Sequence, residues 1–135
     1  MTAKLLWEIG ASLQIVIAMA HFFGTLFSKL LHPTDKNLIE QMKTTILKVD
    51  KKATQWHAWL FFNIAFALLL FMVGAFSFMM AYQNFEMIKG LTILSLTQIV
   101  VSLITIYFAH KFSIRKVRTA FVITTLFYII STAMG

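Results

Sequence analysis

At 135 residues the chain is enough for one domain, and with 59% apolar and only 13% charged residues it is far from soluble composition. Its net charge of +7 does not mark a nucleic-acid partner, because the basic residues flank apolar runs, where topology and anionic lipid headgroups account for them. With no cysteine, disulfides, thiolate chemistry and Cys-ligated metals or clusters are excluded.

A first span is predicted from about Leu5 to Leu31, ending at His32-Pro33, since the residue before proline resists helix. Ala18-Met19-Ala20 has the form of a signal-peptidase site. Glu8 interrupts the early segment, however, and the apolar run continues past Ala20, so the span is expected to be retained. Gly10, Gln14, Ala18, His21, Thr25, Ser28 and His32 recur in steps of three and four and form one polar, small-residue stripe. Between Pro33 and Ala53 the chain is polar and mostly basic. Thr34 and Asp35 are candidate N-caps for a short amphipathic helix with Leu38, Met42, Ile46 and Val49 on one face. That helix is expected to lie in the cytoplasmic membrane surface, the other reading being a solvated connector.

The second span, about 54 to 81, opens on the interfacial Trp56 and Trp59. Its inward stripe is Leu60, Asn63, Ala67, Leu70, Gly74 and Ser77, where small residues permit close helix approach. A tight turn is expected over Tyr82-Gln83-Asn84-Phe85-Glu86. The third span, about Ile88 to His110, carries Ser95, Gln98, Ser102, Thr105 and Ala109 on one face. After the basic turn Lys111 to Arg118 comes a fourth span, about Thr119 to Met134, with the stripe Ala120, Thr124, Tyr128 and Ser131. The expected fold is an all-α membrane protein, an up-down-up-down bundle of four transmembrane helices plus the short surface helix.

Orientation follows from the charges. Lys29, Lys36, Lys43, Lys48, Lys51 and Lys52 flank the loop after span 1, and Lys111, Arg115, Lys116 and Arg118 the loop after span 3. Ten of the twelve basic residues thus fall on one side, against Lys4 and Lys89 on the other. Both rich loops are predicted to be cytoplasmic in a bacterial inner membrane, with Met1 and Gly135 outside.

By helical rise, His21, Asn63 and Tyr128 lie roughly 15 Å from the cytoplasmic boundary, Ser102 about 14 Å and Gln98 about 20 Å. If the stripes converge they form a polar waist, and two readings compete for it. In one, the side chains only bond helix to helix, because polar atoms exposed to lipid are costly. In the other they line a pocket for a lipophilic small molecule such as a lipid, quinone or sterol-like compound. Gln14, Asn63, Gln98, Ser102 and Thr124 would then orient the ligand, with His21 and Tyr128 as catalytic groups handling a proton. Uncharged imidazole both donates and accepts, which suits a carbonyl-bearing amphiphile. No spacing here is a recognised catalytic motif.

His32, His57 and His110 lie near the cytoplasmic boundary, and ligation of haem or a metal by these histidines needs no cysteine. They lack the four-residue helical spacing of a two-ligand motif and any accompanying carboxylate in the bilayer, so an interfacial role is the ordinary reading and no cofactor is assigned. Glu8 near the outer boundary is expected to pair with Lys4.

The run from Trp56 to Asn63 (WHAWLFFN), with Gly74 eleven residues later and His21-Phe22-Phe23-Gly24 in span 1, resembles small bacterial four-span membrane proteins of the DoxX-like kind. The resemblance covers the first two spans. It implies a four-helix membrane bundle and carries over no catalytic residue. Two functions remain open: binding of a lipophilic small molecule in the waist, or a non-catalytic accessory subunit packing into a homo-oligomer or larger membrane complex. An ion path is the weaker idea, since four short-looped spans without an acidic or basic residue deep in the membrane offer a poor route in a monomer.

Overall fold

The computed structural model describes residues 1–90 and 92–134; Leu91, inside the expected third span, and the C-terminal Gly135 lie outside the described residues. Five helices follow in order: α1 (Ala3–Leu26), α2 (Lys36–Thr44), α3 (Gln55–Gly90), α4 (Thr92–Lys111) and α5 (Arg115–Met134). The protein is all-α, and four of the helices, all but α2, are long and apolar enough to cross a membrane. A multi-pass membrane protein is the coarse conclusion.

Helix α1 stops at Leu26, short of the expected Leu31, because the chain turns back at Lys29, which takes a left-handed φ of 55°. The carbonyls this exposes are bonded locally. Phe23 O accepts from the amides of Phe27 (3.0 Å) and Ser28 (3.1 Å), and Thr25 O accepts from the His32 ring Nε2 at 2.8 Å. His32 is therefore a helix C-cap.

Asp35 caps α2, its carboxylate accepting from Asn37 N at 2.8 Å. The helix ends at Thr44, and Thr45 is extended, its hydroxyl bonded to Gln41 O at 2.7 Å. Two consecutive threonines and then isoleucine are β-branched, and hydroxyl bonding to the preceding turn competes with helix. Beyond them Ile46 pairs with Thr54 in an isolated antiparallel bridge and Leu47 N donates to Ala53 O at 2.9 Å. The apolar helix face expected through Ile46 and Val49 is thus corrected. Both residues belong to a small hairpin-like loop, at whose turn Val49 is 92% exposed.

Thr54 starts α3 with a reciprocal cap: its hydroxyl accepts from His57 N at 3.4 Å and its own amide donates to His57 Nδ1 at 3.3 Å. The tight turn expected over residues 82–86 is reduced to one residue. Asn84 alone is non-helical (φ −154°, ψ 80°), and its side chain accepts from Met87 N at 3.2 Å, capping the segment that runs on to Gly90. Lys4 Nζ donates to Tyr82 O at 3.1 Å, satisfying a carbonyl just before the break. The helix expected to begin at Ile88 therefore begins at Thr92.

The turn from α4 to α5 is a Schellman motif. Ser113 is left-handed (φ 60°), Ile114 N donates to Ala109 O at 2.8 Å, and Ser113 N to His110 O at 3.0 Å. The His110 ring Nδ1 accepts from the Arg118 guanidinium at 2.9 Å.

The chain falls into two compact units, Met1–Ile17 with Phe71–Gly135, and Ala18–Leu70. In the first, α4 and α5 pack along each other. Its core gathers Trp7, Ala11, Ala81, Ile88 and Tyr128. Close approach here depends on glycine. A Cβ on Gly74 would come within 3.1 Å of Ile15 Cγ1, and one on Gly10 within 3.2 Å of the Tyr128 ring.

Candidate functional site

The stripe on α1 delivers two side chains into the first unit. Gln14 is 1% exposed, and its Oε1 accepts from both Gln98 Nε2 of α4 and the Tyr128 hydroxyl of α5, the latter at 3.1 Å. Trp7 lies two turns before Gln14 on the same stripe. Its indole Nε1 donates to Ser77 Oγ of α3 at 2.9 Å and its ring tilts against Tyr128, centroids 4.7 Å apart. These contacts join α1, α3, α4 and α5 by side chains buried away from solvent, where an unbonded polar group would be costly. Gln14, Gln98 and Tyr128, all expected at the waist, are thus brought together.

Ser102, also expected there, is 1% exposed and its Oγ has no hydrogen-bond partner among the described residues. Thr124 is fully buried and its hydroxyl bonds back to Ala120 O at 3.1 Å, one turn earlier.

In the second unit Asn63 meets His21 of α1, at 3.0 Å between Oδ1 and Nε2. Asn63 Nδ2 donates to Trp59 O at 2.8 Å, which fixes the amide orientation and makes His21 Nε2 the donor. The His21 ring also meets the Phe66 ring edge-on at 5.3 Å.

The three boundary histidines each hold a helix end: His32 closes α1, His57 opens α3 and His110 ties α4 to Arg118. Among the described residues no three His, Asp or Glu side chains gather as a metal set. Glu8 pairs with Lys4 at 3.7 Å, as the four-residue spacing implied.

Beside the Gln14 cluster, α1, α3 and α4 enclose a cleft of about 400 Å³, within the range of small-molecule sites. Its wall is apolar, with Trp7, Met72, Phe76 and Leu94, and three polar side chains break it: Ser77, Thr97 and Gln98. Ser77 accepts from Trp7 and its hydroxyl is also within hydrogen-bonding reach of Tyr128, while Gln98 donates to Gln14 and keeps its carbonyl as an acceptor. Two hydroxyls and an amide therefore stand at an otherwise oily surface. Reasoning from the sequence placed Ser77 on an inward stripe but not at the site, and passed over Trp7 and Thr97. The signal for Trp7 was its spacing, three residues before Gly10 and seven before Gln14. Compared with family models, with curated proteins and with solved structures, the chain matches none of them.

Proposed function

We propose that the protein is an up-down-up-down bundle of four transmembrane helices in a bacterial cytoplasmic membrane, as in DoxX-like proteins, and that it binds a lipophilic small molecule. The observation that supports binding is the cleft of about 400 Å³ with Ser77, Thr97 and Gln98 set into an apolar wall. An apolar body would occupy the space beside Met72, Phe76 and Leu94, and one carbonyl or hydroxyl would meet Ser77 and Gln98. A quinone, a sterol-like compound or a lipid has that pattern. Gln14 and Tyr128 hold Gln98 in place, and His21, bonded to Asn63 in the second unit, is a separate candidate for handling a proton.

The experiment is native mass spectrometry of the detergent-purified protein together with its absorption spectrum, repeated on Thr97→Trp. Tryptophan at this exposed position fills the cleft and leaves the buried cluster untouched. The expected result is a co-purifying amphiphile that Thr97→Trp loses. An empty wild-type protein, or an amphiphile equally retained by Thr97→Trp, overturns the reading.

The competing reading is a non-catalytic accessory subunit. It is favoured by the way Gln14, Gln98 and Tyr128 satisfy one another without a ligand. Purification in a mild detergent that returned the chain only within a larger complex, with the cleft empty, would select it.

A further inference from the structure

The second unit contains a concave surface that the cleft on α1, α3 and α4 does not involve. Where α1 ends and α3 begins, residues 29–43 and Trp56 enclose about 690 Å³. Its inner surface is the half-buried set Pro33, Ile39, His32 and Trp56. Its edge carries three exposed lysines, Lys29, Lys36 and Lys43.

The aromatic part is closely packed. Trp56 and Trp59 stack at 5.0 Å with an interplanar angle of 18°, and the His32 ring stands edge-on to both, at 5.1 and 5.3 Å, while its Nε2 is tied to Thr25 O. The charge is unbalanced. The one carboxylate lining the cleft, Glu40, is taken up by Lys43 at 2.8 Å, and Lys29 and Lys36 have no carboxylate partner among the described residues. Next to Lys29, Phe27 and Leu30 are 68% and 77% exposed, an apolar flank leading away from the charges. Tryptophans at the mouth of an apolar helix mark headgroup depth, and lysines there attract anionic lipid.

We infer that this cleft seats the headgroup of an anionic glycerophospholipid, its phosphate between Lys29 and Lys36, its glycerol against Trp56 and its acyl chains along Phe27 and Leu30. The inference is independent of any ligand in the cleft on α1, α3 and α4.

The test uses the full chain in nanodiscs of phosphatidylcholine mixed equally with phosphatidylglycerol, with bound lipid counted by native mass spectrometry. Lys29→Gln/Lys36→Gln is compared with Lys48→Gln/Lys51→Gln, which removes the same charge from the neighbouring loop outside the cleft. Each cleft lysine is expected to contribute about fivefold to retention of phosphatidylglycerol over phosphatidylcholine. The cleft variant should therefore lose most of that preference and the loop variant little. Circular dichroism checks that both fold. Equal loss in both variants would mean general charge attraction, and equal retention no site at all; either overturns the inference. So would displacement of the lipid by glycerol phosphate at matched concentration, since that would make the ligand a soluble phosphate.

Discussion

Gln14 Oε1 takes hydrogen bonds from two buried donors, so removing it differs from removing either donor. Gln14→Leu takes their shared acceptor from both the Gln98 amide and the Tyr128 hydroxyl inside the protein, at about 1–3 kcal/mol. Tyr128→Phe deletes one donor and leaves the acceptor still bonded to Gln98, so about 0.6 kcal/mol is expected, typical for such bonds in membranes. Unfolding in mixed detergent micelles, followed by circular dichroism, should rank the variants in that order; equal losses would mean that Gln14 is not the shared acceptor. His21 allows a separate test. Glutamine can donate to Asn63 Oδ1 as the ring nitrogen does, so His21→Gln should fold and unfold within about 0.5 kcal/mol of the parent. A role in proton transfer would show as lost turnover of a bound amphiphile in that well-folded variant, and unchanged turnover would remove His21 from the chemistry.

Among the elements, helix ends rather than helix interiors carry the surprises. The apolar runs and their stripes were legible because a period near 3.6 survives any detail of packing. The ends were not, because they depend on side chains reaching across sequence: the His32 ring closing α1 and the Lys4 ammonium on Tyr82 O. The Asn84 break reads as a turn in sequence, yet a single asparagine cap restarts the helix at once. Ser113 marks a place where the sequence is not optimal. Its left-handed φ of 60° suits glycine, and Ser113→Gly should stabilise the α4–α5 turn by about 0.5–1 kcal/mol. Gly74 is the opposite case. Ile15 and the Ala11 carbonyl leave no room for a larger side chain, so Gly74→Val should cost about 1–3 kcal/mol through forced separation of α3 from α1. A Gly74→Val protein as stable as the parent would show that the two helices do not depend on this approach.

For the whole molecule, composition and charge placement say more than any single contact. The residue types of the Gln14 cluster were legible from their stripes, whereas the cleft beside it was not, since its shape depends on which apolar side chains fall short of one another. Orientation is the property that rests on charge alone. The chain has no cysteine, so each single-cysteine variant reports one position without a background to subtract. Lys43→Cys and Arg115→Cys, from the two basic segments, should label only after the inner face is opened. Lys89→Cys, at the end of α3, should label from outside with an impermeant maleimide. The physical reason is that Lys and Arg near span ends resist translocation, and ten of the twelve fall in those two segments. Because α3 separates Lys43 from Lys89 and α4 separates Lys89 from Arg115, the three labels together report the crossings of α3 and α4. Lys43→Cys and Lys89→Cys labelled from the same side would mean that α3 does not cross. The up-down order, and with it the placing of the basic cleft at the inner headgroups, would then fall.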